Sequence, residues 1–260
     1  MGPIMKLCEK LQIPPHFCDF PELDRSVELA RQLPPSPTDY DRAWSKFEIS
    51  SSLLLLSLAY YYAGESTLAA THARENIVEC DDFFFGSWRS EYKTPKKIID
   101  PAYWKREFDW IEIFEAALLW ASVLNEWQFL KKVGTFPEPN SFFGEDYKAQ
   151  DRDLYVATGA FLRGAPRAEM DRLLDQANAG SKKTCKFLVS VLRGCLDHDA
   201  AALQKSLVEY LKHYKKNEFP KEYIRKKISI EGTFFVHWAE KEKLPLTVPP
   251  EFEDHIVRLK

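Results

Sequence analysis

The sequence is poor in the residue that tight turns use most. Only 10 of its 260 residues are glycine, whereas all-β proteins need many glycines for their turns. It also lacks a long apolar run. The longest, residues 53–63, is about half of the roughly 20 residues that a membrane-spanning helix requires. These shortages argue against an all-β protein and against a transmembrane helix.

Cysteine is scarce and unpatterned. The chain has five cysteines, an odd number, and no Cys-x-x-Cys pair, so neither a disulfide framework nor a zinc site is indicated. The N-terminal residues reach prolines before any apolar stretch develops, which is unlike a secretory signal peptide. We therefore expect a cytoplasmic protein with free thiols, in which Cys185 and Cys195 are small core residues.

The motifs of common enzyme classes are missing as well. The sequence contains no GxxxxGK[ST] or GxGxxG phosphate-binding pattern, no HExxH zinc site and no GxSxG nucleophile. The paired Glu-x-x-His turns that a ferritin-like di-iron bundle needs do not occur either. We therefore predict a protein that is not an enzyme and that requires no cofactor or metal.

A helical pattern is what the chain does have, over most of its length. Hydrophobic residues make up 45% of the sequence, which is typical of a globular protein, and the length suits one large domain. Apolar residues recur at helical spacing, and no stretch alternates with period two for long. We predict an all-α fold, a single multi-helix bundle over 1–260, with longer helices in 1–145 and shorter helix pairs in 146–260.

Prolines and glycines set the boundaries of the predicted helices. In the first half, helices are predicted at 23–33, 39–63, 66–80 and 100–132. The helix at 100–132 is apolar on two faces, so we expect it to be central. In the second half, helices are predicted at 146–163, 167–178, 182–193, 199–216 and 221–243. These consecutive pairs suggest tetratricopeptide-like stacking, although no clean repeat of about 34 residues is visible.

Several titratable pairs could carry chemistry but have simpler interpretations. His72 with Glu75, and His237 with Glu240, share a helix face at a spacing of three, and we interpret each as a local hydrogen-bonded pair. His198-Asp199 matches the metal-binding dipeptide of helical phosphohydrolases. That reading predicts His72, His198 and Asp199 within coordination distance of one another.

The dipeptide also has a structural explanation, since we expect Asp197 to cap the helix that follows.

Glu112 and Glu115 lie on the predicted central helix. They could form a pKa-shifted pair that marks a site. The competing interpretation places them on its single polar strip.

The strongest binding signal combines aromatic residues with carboxylates in two predicted connections. Residues 81–88 read DDFFFGSW, and residues 142–147 read FFGEDY. Aromatic residues anchor interfaces, and acids can engage basic groups of a partner. The candidate partner-binding residues are Asp81, Asp82, Phe84, Phe85, Trp88, Glu145 and Asp146. The alternative is that the phenylalanines fold back and plug the end of a helix stack.

Basic residues are concentrated in one segment. Residues 181–227 contain 12 basic and 5 acidic residues, a net charge of +7 in a chain whose total is −3. The stacking aromatics that single-stranded nucleic acid requires are sparse there. We interpret the segment as a solvated helix face and expect neither a nucleic-acid nor a membrane partner.

The C-terminal third of the chain resembles a known family. It has LRGCLD at 192–197, then a leucine-rich helix, then ISIEG at 228–232 and the apolar tail LPLTV at 244–248. This succession is similar to the all-helical immunity proteins of bacterial polymorphic toxin systems, most nearly to immunity protein 49. Pro245 departs from the glycine expected after the last helix, and the segment 215–227 is more basic than the pattern suggests.

The resemblance implies a cytoplasmic, non-catalytic helical protein that binds a cognate protein toxin and blocks its active site or a surface that it needs. It carries over no binding residues. A tetratricopeptide-like scaffold that binds a peptide or protein, and a metal-dependent helical hydrolase, are the two alternatives. The scaffold predicts a concave groove between helix pairs.

Overall fold

The fold is described by a computed structural model, which covers residues 25, 27–29, 31, 39–86, 110–136, 149–180, 182–217 and 227–259. Within these ranges the chain is helical and contains no β-strand, so the protein is an all-α multi-helix fold. The α-helices whose bounds the structure describes are α1 (Asp39–Ala63), α2 (Ser66–Phe85), α3 (Trp110–Val123), α4 (Trp127–Val133), α5 (Ala149–Arg163), α6 (Arg167–Asn178), α7 (Lys183–Leu196), α8 (Ala200–Asn217) and α9 (Ile230–Lys241). A 3-10 helix, Pro250–His255, follows near the C-terminus.

Helix α3 occupies the centre of the protein, as its apolar pattern predicts. Its side chains Ile113, Ala117 and Trp120 are all completely buried. The helix packs against α1 and α2 on one side and against α9 on another. A helix covered on several faces has no need of a polar stripe, which explains its near-continuous apolar sequence.

Consecutive helices pair in both halves of the chain. The most extensive contacts are those of α1 with α2, of α5 with α6 and of α7 with α8. Most of the described buried apolar residues, from both halves of the chain, form one continuous cluster from Leu54 to Val257, and Val27, Ile49 and Leu53 form a second, smaller one. Near its C-terminus the chain lies against α1. The backbone N–H of Arg258 donates a hydrogen bond to the hydroxyl of Tyr61 at 3.2 Å.

Five helix ends share one local structure. A residue one or two positions after the helix has a positive φ, between 48° and 82°; these residues are Gly64, Asn125, Gly164, His198 and Lys243. In each, the next backbone N–H bonds back to a carbonyl five residues earlier, as from Glu65 to Tyr60 and from Ala165 to Ala160. These Schellman motifs satisfy carbonyl groups that a helix end would otherwise leave unpaired.

Four predicted boundaries differ from the structure. Helix α2 continues past residue 80 to Phe85, so residues 81–85 are its last turn instead of a connection. The predicted helix at 100–132 is interrupted after Val123, where Asn125 adopts a φ of 62°. Its part from 100 to 109 lies outside the described residues.

The other two differences concern the second half. Gly194 lies inside α7, whereas the sequence suggested a break there. The predicted helix at 221–243 begins only at Ile230 in the described part of the chain, where the Ser229 hydroxyl accepts a hydrogen bond from the Gly232 N–H. Residues 221–226 lie outside the described ranges.

The N-cap of α8 is Asp199 instead of the predicted Asp197. A carboxylate oxygen of Asp199 accepts hydrogen bonds from the backbone N–H groups of Ala201 and Ala202, both at 3.0 Å. Asp197 instead pairs with the guanidinium of Arg167 on the surface. The prediction placed the cap two residues too early, because α7 continues past Gly194 to Leu196.

This difference gives a direct test of the cap. We expect Asp199→Ala to lower the free energy of unfolding by about 1 kcal/mol, because it leaves two helix N–H groups without an acceptor. Asp197→Ala is the matched control and removes only an exposed ion pair, so no measurable change is expected. Urea unfolding followed by circular dichroism measures both. A larger loss for Asp197→Ala would contradict the assignment.

Candidate functional site

Charged and aromatic side chains meet where α2 ends. Asp81 accepts a hydrogen bond from the ammonium of Lys132 at 2.5 Å, and their side chains are 43% and 48% exposed. The same ammonium lies 4.6 Å from the ring centroid of the half-buried Phe85. We call Asp81, Asp82, Phe85 and Lys132 the α2-end surface. Two elements position it, the last turn of α2 and the short helix α4.

Asp82 belongs to a second ion pair on this surface. The ammonium of Lys46 lies 2.5 Å from a carboxylate oxygen of Asp82 and 3.3 Å from one of Glu79. Burial lowers the pKa of Lys46, but the hydrogen bond to Asp82 and the negative charges of Glu79 and Asp82 outweigh it, so the pKa is raised. Lys46 therefore remains charged and ties α1 to the end of α2.

The neighbouring phenylalanines form the base beneath this surface. Phe83 and Phe84 are 2% and 1% exposed. Phe84 lies 4.9 Å from the ring of Phe136 between centroids, and Phe85 lies 6.1 Å from it. Phe84 is thus a core residue, and its assignment to a partner-binding site needs correction: an aromatic residue buried to this degree cannot contact a partner in this conformation. Of the three phenylalanines at the end of α2, Phe85 is the one that is partly exposed.

The remaining predicted binding residues cannot be placed on this surface. Trp88, Glu145 and Asp146 lie outside the described residues. Of the seven residues predicted, the structure therefore brings together Asp81, Asp82 and Phe85. The missed contributors Lys46 and Lys132 come from other helices, and no signal in the local sequence connects them to residues 81–85.

The two histidine–glutamate pairs are local interactions, as interpreted from their spacing. His72 Nδ1 lies 3.3 Å from a carboxylate oxygen of Glu75, and His237 Nδ1 lies 3.0 Å from one of Glu240. The other ring nitrogen of His237 lies 2.9 Å from the carbonyl oxygen of Val257. In the described part of the chain, no three His, Cys, Asp or Glu side chains are grouped as a metal site would need. The grouping of His72, His198 and Asp199 that a metal-dependent hydrolase predicts is therefore not formed.

Glu112 and Glu115 are directed to different neighbours. Glu112 accepts a hydrogen bond from Ser51 of α1 at 3.1 Å, and Glu115 accepts one from Tyr155 of α5. Burial, together with the negative charge of Glu112, raises the pKa of Glu48. The two carboxylates therefore link α3 to two other helices.

Glu115 is one end of a network of hydrogen-bonded polar side chains that the sequence did not indicate. The Tyr155 hydroxyl also lies 3.2 Å from a carboxylate oxygen of Glu231, and the hydroxyl of Tyr210 donates to the other at 3.0 Å. Ser229 donates to the Tyr210 hydroxyl at 3.1 Å. Burial raises the pKa of Tyr155 well above its ordinary value, and the nearby carboxylates add to this. The network joins α3, α5, α8 and α9 within the core.

The buried thiols are held in their neutral form. Burial raises the pKa of Cys80 to about 12, and it also raises the pKa of Cys195. Cys80 lies 3.4 Å from the hydroxyl of Ser50. A thiol must ionise to act as a nucleophile, so Cys195 fits the core role predicted for it, and Cys80 has the same role.

Two surface depressions were not indicated by the sequence. The first, of about 480 Å³, lies between the end of α4 and helices α5 and α6; we call it the arginine groove after its lining residues Arg152, Arg163 and Arg172. The second, of about 340 Å³, lies where α5, α7 and α9 end and α4 begins; we call it the aromatic cavity after Trp127, Phe161 and Trp238. Both collect residues from four or more separate segments, and for that reason no local pattern predicts them.

The basic residues of α7 and α8 are on the surface, in agreement with their interpretation as a solvated face. The exposed basic residues are Lys182, Lys183, Lys186, Arg193, Lys205, Lys212, Lys215 and Lys216. Lys215 donates to the backbone carbonyl of Glu251 at 3.0 Å.

Comparison of the chain with protein-family descriptions, with curated proteins and with solved structures finds no match. In the described part of the chain, no helix combines the length and the apolarity needed to cross a bilayer.

Proposed function

We propose that this protein is an immunity protein, which binds a cognate bacterial protein toxin and neutralises it by occlusion. The resemblance of its C-terminal third to that class supports the proposal. The observation that carries it is the α2-end surface, where Lys132 lies over the ring of half-buried Phe85 and pairs with Asp81, and Asp82 of the same helix turn pairs with Lys46. An aromatic anchor within a ring of exposed charges is a common arrangement in protein interfaces.

The base of this surface favours tight binding. Phe83 and Phe84 are fixed in the core, so the last turn of α2 presents Phe85 and the two aspartates from a rigid support. A rigid surface loses little conformational entropy when it binds. The exposed ion pair of Asp81 with Lys132 is worth little, and a basic group of a toxin can therefore compete for the Asp81 carboxylate. Charge attraction would speed encounter, and the aromatic contact would slow dissociation.

The proposal is tested by co-expression with the toxin encoded by the adjacent gene. We expect this chain to restore growth of cells that produce the toxin and to form a stable complex with it. Asp81→Lys is expected to weaken the complex at least tenfold, and Phe85→Ala about 30-fold, equivalent to about 2 kcal/mol. Isothermal titration calorimetry measures both affinities.

The control is a charge reversal elsewhere. Glu209→Lys, at an exposed position of α8, changes the net charge by the same amount. The affinity for the toxin should remain unchanged in this variant. Urea unfolding of Phe85→Ala separates lost contacts from lost stability, because Phe85 also touches Phe136. Growth that does not respond to this chain, with no complex formed, would contradict the proposed function.

The arginine groove favours a second candidate function, a helical scaffold that binds a peptide. Its wall residues come from the α5–α6 pair and from the end of α4, which is the kind of groove that a scaffold predicts. A scaffold would bind its partner without restoring growth in the presence of the toxin, so the same co-expression experiment distinguishes the two functions.

A further inference from the structure

The aromatic cavity has the construction of a ligand site. Three aromatic walls surround it: Phe161 and Trp238 lie 5.4 Å apart between ring centroids, and Trp127 faces them from α4. Its floor consists of Leu130, Met170 and Cys195, each at most 1% exposed. Its volume of about 340 Å³ falls at the lower end of the range of small-molecule sites, roughly 300–1,000 Å³.

The helix ends around the cavity explain why its interior is apolar. Helices α5, α7 and α9 all finish there in Schellman motifs, with positive φ at Gly164, His198 and Lys243. Their late carbonyl groups accept backbone hydrogen bonds, as from Asp199 to Gly194 and from Leu244 to Ala239. These carbonyls are satisfied, so the walls offer mainly hydrocarbon and ring surfaces, with the side chains of Gln128 and His198 as additional polar groups in the lining.

The rim of the cavity carries an excess of positive charge. Lys131 is exposed and pairs with no carboxylate among the residues that the structure describes. Lys241 pairs with its sequence neighbour Glu242 and lies 5.4 Å from the ring centroid of Trp127. Glu242 is the one acidic residue among those that line the cavity, against two lysines. An exposed pair of adjacent residues is weak, so Lys241 can exchange its partner for a ligand.

We propose that the aromatic cavity binds a small aromatic carboxylate, an activity separate from toxin neutralisation at the α2-end surface. The ring of the ligand would lie between Trp127, Phe161 and Trp238, where aromatic contacts are favourable. Its carboxylate would pair with Lys131 and Lys241 at the rim. A cationic ligand fits less well, because Lys241 already lies over Trp127 and both lysines would repel it.

Titration with three indole compounds tests the charge and the ring together. We expect indole-3-propionate to bind with a dissociation constant of about 1 mM or tighter, as is typical of a ligand of this size. Indole-3-propionamide and tryptamine should bind at least fivefold more weakly, because neither presents a carboxylate to the lysines. The measurement is NMR titration of the full-length protein, following the indole Nε1–H signals of Trp127 and Trp238.

Two pairs of variants locate the site. Ala165→Leu places a larger side chain in the cavity wall and should abolish binding, whereas Ala168→Leu on the exposed face of α6 should leave it unchanged. Lys131→Gln should weaken indole-3-propionate about fivefold and leave the amide unaffected, and Lys186→Gln on α7 serves as its control. If Ala165→Leu does not fold, the lysine variants and the tryptophan signals still show whether indole-3-propionate binds in the aromatic cavity. Absence of binding, equal or tighter binding of tryptamine, or full binding by folded Ala165→Leu would overturn the proposal.

Discussion

Gly194→Ala is expected to destabilise the protein by about 3 kcal/mol. Gly194 is buried inside α7, and a Cβ atom at this position would lie 2.9 Å from both the Cα and the backbone N of Leu203 in α8. Because these are backbone atoms, the clash can be relieved only by moving the two helices apart. The loss would spread over the α7–α8 contact, one of the most extensive in the fold. Urea unfolding of the purified variant measures the change.

Gly159→Ala provides the matched control in α5. There the nearest atom to the added Cβ would be the Gly134 carbonyl oxygen at 3.9 Å, an ordinary contact distance. Alanine also has a higher helix propensity than glycine, so we expect this variant to be up to about 1 kcal/mol more stable. Opposite signs for the two substitutions would show that helix contact governs Gly194. Equal effects at Gly159 and Gly194 would contradict the close approach of α7 and α8.

Raising the pH above about 9 is expected to have the next largest effect on the free energy of unfolding. The pKa of Cys80 is raised from 9.0 to about 12, mainly by burial, and burial also raises that of Cys195. In the unfolded chain these thiols ionise near pH 9, while in the folded protein they stay protonated. The stability they contribute is complete below the unfolded pKa and is lost as the pH rises towards the folded pKa. Each thiol should cost about 1.4 kcal/mol per pH unit in this window.

The combined loss from the two thiols is about 3 kcal/mol per pH unit above pH 9. Tyr62 and Tyr155, whose pKa values burial raises from 10.0, add to it at higher pH. Urea unfolding at about pH 8, 9 and 10 under reducing conditions gives the slope. The double variant Cys80→Ala, Cys195→Ala should have a flatter slope, even if it is less stable at neutral pH. A stability that does not change up to pH 10 would refute the burial of these thiols.

Much of the helical framework was predictable because helix periodicity is a local property. The predicted boundaries at 39–63 and 167–178 match α1 and α6. The central position predicted for the apolar stretch around Ile113 and Trp120 is also confirmed. Each of these predictions depended on residues within a few turns of one another, where spacing and breakers carry the information.

The errors occurred where distant segments decide the outcome. Gly194 looked like a helix break, but it is retained within α7 because Leu203 of α8 packs directly on it. The sequence left Phe84 open between a partner interface and the end of a helix stack, and the structure buries it against Phe136, which follows α4. The residue type at position 125 did not indicate that the predicted long helix would end there, yet Asn125 adopts a positive φ and α3 ends in a Schellman motif.

The sequence by itself determined that the fold is all-α, where most of the described helices lie and which of them is central, because these properties follow from apolar spacing along a single segment. Only the tertiary structure decided which side chains share a surface. The pairing of Asp81 with Lys132, the network from Glu115 to Ser229, and the walls of the aromatic cavity all join residues from separate helices. Such groupings depend on how the helices cross, and the crossing is fixed by packing between segments far apart in the chain.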